Sequence, residues 1–507
     1  MSSFSLLPTY NGKAVPRDTV PRLSLEDFRR VVIGAPERGA RIAALFGTSA
    51  GAKGVELFLV LASDDQGRLE LCSTRLDGDS YPAMTPECPE AHLFERELAE
   101  QWGIHPVGHP WLKPVRFAPP QRVGADPFGW GKTPPVVGVM DFYRVEGEEI
   151  HEVAVGPVHA GVIEPGHFRF QCYGEQVLHL EISLGYQHRG VERALVGGPT
   201  PRSIHYAETL AGDTSVGHAT AYCHIVEALS GCAVSARAHA IRGVALELER
   251  LANHSGDLGA LAGDVGYLPT ASYCGRLRGD FLNLSAELCG NRFGRGLVRP
   301  GGVAFDVEAE RASGMLQRLN AAVRDVADAA GLLWSAASVQ ARFEDTGRLP
   351  EDVARRLGMV GPAARASGLS RDVRRDHPAG IYRFKQIPVP VLSSGDVYAR
   401  AQIRMLEIER SAVFIRELLG SLPSAAPRSP VLPLAPMRAC VSLAEGWRGE
   451  LCHVALTDEN GRFQAYKVVD PSFHNWTGLA MALRDQQISD FPLCNKSFNL
   501  SYCGHDL

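Results

Sequence analysis

The spacing of apolar residues changes several times along this chain, and each change predicts a different element. VVIGAPERGARIAALFG (31–47) reads as a strand that runs on into a helix. VELFLVLASD and GRLELCSTRL are rich in β-favouring residues and flank the polar break Asp64-Asp65-Gln66-Gly67, which predicts a strand pair. AHLFERELAEQWGI (91–104) has helical spacing, with Leu93, Phe94, Leu98 and Trp102 on one face and Glu and Arg on the other. HPVGHPWLKPVRFAPP is too proline-rich for a helix or a central strand, and PPQRVGADPFGWGKTPP has the Pro and Gly density of a connector.

Beyond residue 146 the periods lengthen. HFRFQCYGEQVLHLEISLGY alternates about Gly174-Glu175 as a β-hairpin does. Long helices are predicted at roughly 203–230, 233–262, 308–335 and 397–420, with short helices and loops over the charged, Gly/Pro-rich 340–390. Strands return at 438–470, and the apolar, aromatic FPLCNKSFNLSYCGHDL at the end predicts a packed segment. The expected fold class is α+β. A segment 1–24 precedes a small α/β unit at 25–115, a linker at 116–145, and a mainly helical unit at 146–507 with small peripheral sheets.

Composition narrows the function classes. The chain has 507 residues, 45% of them apolar, so a large core is available. A net charge of −5 gives no basic field for nucleic acid. No apolar run reaches membrane-spanning length, and the first residues lack the pattern of a signal peptide. None of the 11 cysteines forms a C-x-x-C pair, which points to a reducing compartment and away from a disulfide framework or a self-contained iron–sulfur or zinc site. Phosphate-loop, zinc-protease and nucleophile-elbow motifs are absent, and GRGLVRPGG (294–302) reads as a turn.

Chemistry is concentrated in four stretches. AETLAGDTSVGHATAYC (207–223) puts Gly212, Asp213, Thr214, Ser215, Gly217 and His218 at the head of an otherwise apolar helix, as a former binding place would. GPVHAGVIEPGHFRF (156–170) sets His159, Glu164 and His167 in a loop shaped by Gly and Pro. Between Ile163 and Pro165, Glu164 is expected to be buried and paired; burial raises a carboxyl pKa and suits it to relay protons. LGYQHRGVER adds His188, Arg189, Glu192 and Arg193. On 237–254, Arg237, Arg242, Glu247, Glu249, Arg250 and His254 read as ion pairs on a helix surface, and His218 taken alone reads as a core histidine.

GPVHAGVIEPGHFRF, LGYQHRGVER, RAHAIRGVALELERLANHSGDLGALAGDVG and NRFGRGLVRPGGV, in this order, resemble the large subunit of group 4, formate hydrogenlyase-type nickel–iron hydrogenases. That large subunit is similar to the D-type, quinone-proximal subunit of complex I. HLFERELAEQWGIHPVGHPWL resembles the C-type subunit of complex I, so the chain is identified as a C–D fusion. The resemblance implies a nickel–iron centre on two C-x-x-C pairs, since thiolates suit such a soft centre. The matching positions here are Ala211, Thr214, Ser501 and Gly504, with Cys503 one residue out of register. It also implies two quinone-headgroup ligands, a histidine and a tyrosine, whose positions hold Ile163 and Gly212. Glu164 matches a proton-transferring carboxylate of the hydrogenases, with His167 and His218 beside it, and His159 and Arg242 are expected to line the cavity.

Three functions are compatible with this resemblance. In the first, the chain is a subunit of a complex I-like, hydrogenase-related oxidoreductase. It has no nickel of its own, and it sits on the cytoplasmic side of the inner membrane. Its partners would be a small iron–sulfur subunit of the complex I B type and integral membrane subunits, one of the H type and others antiporter-like. Electrons would pass from the partner's cluster to an acceptor such as quinone, coupled to ion translocation. In the second, the chain is a redox-silent scaffold with a collapsed cavity. In the third, it is an active hydrogenase with atypical ligands. An open or a packed interior between 159–167, 207–218 and 495–505 separates the first two.

Overall fold

The computed structural model describes residues 5–51, 54–122, 124–131, 135–159 and 163–507. The first unit is built from β1 (Leu7–Thr9), β2 (Ala14–Pro16), β3 (Arg22–Leu23), α1 (Leu25–Ile33), β4 (Arg41–Ser49), β5 (Val55–Ser63), β6 (Arg68–Leu76), β7 (Ser80–Pro82), α2 (His92–Trp102) and β8 (His105–Val107). Its main sheet has the order β1-β6-β5-β4, with β3 beside β6. The expected strand pair is β5–β6, antiparallel from Val55↔Leu76 to Ser63↔Arg68.

Two expectations here are corrected. Residues 31–47 close a helix and then form a strand, the reverse of the predicted order. Ser24 caps α1 by accepting from Asp27 N, and Phe28, Val31 and Val32 are buried at helical spacing. RIAALFG reads as helical because β4 is buried on both faces, and such strands do not alternate. Helix α2 has the expected position, but its acidic face is not solvated. Glu95 accepts from Met84 N, Thr85 N and Thr85 Oγ1. Glu97 pairs with Arg116 and, at 2.6 Å, with Lys467. Glu100 accepts from Arg116 N and Ala118 N. These carboxylates tie the connector and the C-terminal sheet to the first unit.

The second unit opens with a three-stranded antiparallel sheet of β9 (Ile150–Val155), β10 (His167–Tyr173) and β11 (Gln176–Ser183), order β11-β10-β9. The helices follow: α3 (Val191–Leu195), α4 (Ser203–Glu208), α5 (Ser215–Ser230), α6 (Ala236–Asp264) and α7 (Leu268–Cys289). A two-strand turn, β12 (Val298–Arg299) and β13 (Gly302–Val303), leads to α8 (Ala309–Ser335). Four short helices occupy the 340–390 region: α9 (Ala337–Phe343), α10 (Glu351–Arg356), α11 (Gly361–Ala366) and α12 (Val373–Asp376). Then come α13 (Val397–Gly420), β14 (Arg438–Gly446), β15 (Gly449–Thr457), β16 (Phe463–Val469), α14 (Pro471–Ala482), α15 (Phe491–Phe498) and α16 (Tyr502–Asp506).

The single helix expected at 203–230 is two, α4 and α5, separated by residues 209–214. Ser215 Oγ bonds back to Glu208 O at 2.9 Å and closes the break. Helix α7 adds to the expected elements; its buried Cys274, Leu277, Phe281, Leu284 and Leu288 keep helical spacing, but exposed Gly, Ser and Arg dilute the pattern. β2 leaves the first unit to pair with β14, giving the order β16-β15-β14-β2. Asn11 fastens the crossing, donating to His377 O at 2.6 Å and Leu443 O at 2.9 Å and accepting from Leu443 N at 2.8 Å.

Of the charged residues of α6 expected as surface ion pairs, Arg237 makes such a pair with Asp306 at 2.6 Å, whereas Arg242, Glu247, Glu249, Arg250 and His254 are buried. Arg250 bonds Glu247 at 3.0 Å and Glu407 at 3.3 Å, and His254 Nε2 meets Glu407 at 2.9 Å. Arg365 bonds Glu407 at 2.6 Å and Glu445 at 2.9 Å, while Arg374 pairs with Glu247 at 3.1 Å. Burial alone would raise the Glu407 carboxyl, but Arg365, His254 and Arg250 hold it well below the ordinary carboxylate range. Removing one charge from such a cluster leaves the others buried and uncompensated, at a cost of ~3–5 kcal/mol. Glu407→Gln should lower the unfolding free energy by about that much in urea titrations. A loss under ~1 kcal/mol would mean the charge is not what holds these elements together.

Candidate functional site

The break between α4 and α5, the β9–β10 loop and the final segment come together at one end of α6. Arg189 of the LGYQHRGVER stretch joins two of them, donating through Nη2 to Leu210 O and to Cys503 O, each at 2.9 Å. Tyr502 N donates to Glu164 Oε2 at 3.3 Å, bringing in the loop. Arg448 makes a bidentate pair with Asp213 at 2.6 and 2.8 Å, and Trp447 Nε1 donates to Asp213 O at 3.0 Å. Burial would raise the Asp213 carboxyl, but Arg448 keeps it below its ordinary value.

These segments enclose a cleft of about 740 Å³. Glu164, Asp213, Asp257, Arg278, Arg448, Lys496 and Tyr502 line it, together with the small residues Gly256, Gly259 and Ala260 of α6 and Ala271 and Gly275 of α7. Asp257 is held by Arg404 at 2.7 Å and by Asn499.

The four positions matched to metal ligands are gathered beside this cleft. Ala211 is fully buried and brings only a methyl group. Thr214 Oγ1 donates to Asp213 at 3.2 Å. Ser501 Oγ accepts from Gly504 N at 2.8 Å. A Cβ on Gly504 would stand 2.5 Å from Asp470 Oδ2, so a carboxylate occupies the room a side chain would need. Burial pushes the neighbouring Cys503 thiol up to about 12, and Glu164 adds to the shift.

Of the residues singled out in the sequence, Ile163, Glu164 and Asp213 line the cleft. Glu164 is half-buried on its rim, which corrects the expectation of a buried carboxylate. His159 and His167 brace the loop instead: His159 Nε2 lies 2.8 Å from Gly166 O and His167 Nδ1 3.3 Å from Gly156 O. His218 is a core residue behind the cleft, 3.2 Å from Asp470 through Nε2 and 3.1 Å from His453 through Nδ1. Arg242 is not brought here; it pairs with Glu227 at 2.5 Å and bonds Gly302 O. Residues 160–162 of the same loop lie outside the described residues.

Sequence reasoning missed Asp257, Arg278, Lys496 and the role of Glu249. Asn253, Gly256, Asp257 and Ala260 fall at helical spacing on the face of α6 that meets the cleft, so the signal was there. Glu249, one turn before Asn253, accepts from Val216 N at 2.7 Å and Gly217 N at 3.2 Å at the start of α5. Burial raises its carboxyl to about 8, against the pull of those two amides.

A family model described as the 49 Kd subunit of respiratory-chain NADH dehydrogenase matches residues 264–433. Formate hydrogenlyase subunit 5 of Escherichia coli is 29% identical over 437 residues, covering 83% of this chain and 76% of that protein. The carbon monoxide-induced hydrogenase of Rhodospirillum rubrum is 29% identical over 352 residues, covering 69% and 97%. The chain is thus similar to subunits of both complex I and the hydrogenases. NADH-quinone oxidoreductase subunit 4 of Thermus thermophilus, also 29% identical, covers 68% of this chain and 90% of its own length, so the similarity extends to the respiratory side. Among the described residues no helix is long and apolar enough to cross a membrane.

Glu249 yields a pH prediction. Its native carboxyl, at about 8, stands above the ordinary 4.5, so the folded state binds the extra proton between these values. Stability must therefore fall as pH rises through that interval. Glu249→Gln should lose less stability than the native protein between pH values of about 5 and 8.5 in thermal melts. Equal losses would show that Glu249 does not carry the proton.

Proposed function

We propose that this chain is a subunit of a membrane-associated, complex I-like and hydrogenase-related oxidoreductase, and that it works without a nickel–iron centre of its own. The observation that carries this reading is the open cleft beside four ligand positions that offer two hydroxyls, a methyl group and a hydrogen. Hydroxyls are poor ligands for a soft nickel–iron centre, and Asp470 stands where a side chain at position 504 would go. The donor set does not fit the metal, so no step is routed through one.

In this reading the chain packs against a small iron–sulfur subunit and, through it and integral membrane subunits, attaches peripherally to the cytoplasmic face of the membrane. Electrons from the partner's cluster reach an acceptor in the cleft, where quinone is one candidate. Glu164 delivers or takes up the accompanying proton at a carboxylate oxygen, since it is half-buried at the rim and exchanges with solvent. Asp213 stays ionised against Arg448 and fixes the wall. The scaffold alternative requires a collapsed interior, and the cleft of about 740 Å³ weighs against it.

The decisive experiment is purification of the native complex from gently solubilised membranes, followed by subunit identification and metal analysis. The expected result is an iron–sulfur subunit and antiporter-like membrane proteins, with iron but less than stoichiometric nickel. One nickel per complex would favour a hydrogenase with atypical ligands, and a chain recovered alone would favour the scaffold. In the same complex Glu164→Gln should reduce turnover about tenfold or more, the range of a lost general acid–base group, and leave assembly intact. Unchanged turnover would remove Glu164 from proton transfer.

A further inference from the structure

The lining of the cleft at Glu164 restricts what it can hold. Six of its lining side chains are charged, and only Ile163, Leu500 and Tyr502 are large apolar or aromatic groups. The ring and prenyl tail of a quinone are apolar, and setting charged side chains against them strips water from the charges without replacing it. A ligand for these walls needs polar atoms of its own. The other cleft of this volume, between the edge strands β4 and β16, has its buried cation already matched, because Lys467 is neutralised by Glu97 and Glu192.

The charges on the walls at Glu164 are not equally committed. Asp213 accepts from both terminal nitrogens of Arg448, and Asp257 accepts from Arg404 on one oxygen and from Asn499 on the other. Arg448 spends its Nε–H on Asn499 O. Glu164 accepts from Tyr502 N. Arg278 of α7 and Lys496 of α15 are half-buried and make no ion pair and no side-chain hydrogen bond among the described residues. The exposed Arg276 of the same helix does pair, with Asp280 at 2.9 Å and Asp325 at 3.2 Å. Arg278 lies across α6 at a bare glycine, where a Cβ on Gly256 would stand 2.8 Å from its Cδ and 3.2 Å from its Nε. Two cations from different helices, half out of water and without acceptors, share a cleft in which both aspartates are already paired. An oxyanion supplies what they lack.

We propose that the cleft takes a small, water-soluble oxyanion, a molecule carrying a carboxylate or phosphate group, with that group at Arg278 and Lys496 and the rest of the molecule toward Glu164. The inference rests on the reading of this cleft as the acceptor site, and it replaces a lipophilic quinone there with a polar, anionic acceptor. Arginine suits such a group because its planar fork offers parallel N–H donors to two oxygens, and lysine adds a point charge. The competing occupant is an acidic side chain of a partner subunit docked on the same two cations.

The test is equilibrium dialysis of radiolabelled inorganic phosphate against the full chain and against the native complex, at constant ionic strength set with chloride. The expected result is saturable binding of one phosphate per chain in both. Arg278→Gln and Lys496→Gln should each weaken it about tenfold or more with the melting temperature unchanged, and Arg276→Gln should leave it as it was. Gly256→Ala should weaken binding while holding or raising the melting temperature, because alanine favours the helix but crowds Arg278. Binding that is unsaturable, or that neither Arg278→Gln nor Lys496→Gln weakens, overturns the proposal. So does phosphate binding to the free chain that is lost in the native complex, which would put a partner's acidic group on the two cations. Turnover of the complex with decylubiquinone that survives both substitutions would also overturn it, in favour of a quinone. Failure of the acceptor reading is seen separately: a complex without electron transfer that binds phosphate with these variant effects keeps the anion site and loses its redox role.

Discussion

Glu407 sits where α6, α11 and α13 converge, and most of the larger unit is organised around its charge. It accepts from Arg250, Arg365 and His254, and those cations reach on to Glu247, Glu445 and the backbone of β14. None of these groups is in water, so each is tolerable only while its neighbours stay in place. That mutual dependence fixes how α6 is rotated. One of its sides must face the charged centre, and the face carrying Asn253, Gly256, Asp257 and Ala260 is thereby presented to the cleft. The small Gly256 and Ala260 are among its lining residues.

The cleft lies beside the positions that the resemblance matches to metal ligands. A metal centre would need four soft donors at the junction of the α4–α5 break and the final segment. At that junction Arg189 clamps Leu210 to Cys503, and Tyr502 reaches Glu164. Ala211 is fully buried there, and Asp470 Oδ2 stands 2.5 Å from where a Cβ on Gly504 would be. The neighbouring cleft, which carries carboxylates and cations together, is open.

The first unit is bound into the same body by buried acids. Glu97 reaches both Arg116 of the connector and Lys467 of β16, while β2 crosses to pair with β14. This crossing places two edge strands side by side with a cavity between them, which neither unit would have alone.

Local pattern in the sequence was enough for the elements whose environment is simple: the β5–β6 and β10–β11 hairpins, the long α6, α8 and α13, and the packed final segment. Each has one apolar face or a turn with its own chemistry. It misjudged β4, α2 and the charged face of α6, because period and polarity cannot tell a strand buried on both sides from a helix, or a solvated carboxylate from one neutralised by a residue hundreds of positions away. Of the site, the sequence by itself determined which side chains are present, and so which donors a metal would lack. Only the tertiary structure decided that Glu164 lies on an open rim, that His218 and Arg242 are engaged elsewhere, and that Arg278, Lys496 and Asp257 share its cleft. These depend on contacts between distant segments, and no local spacing encodes which of many possible partners a charge will meet once water is excluded.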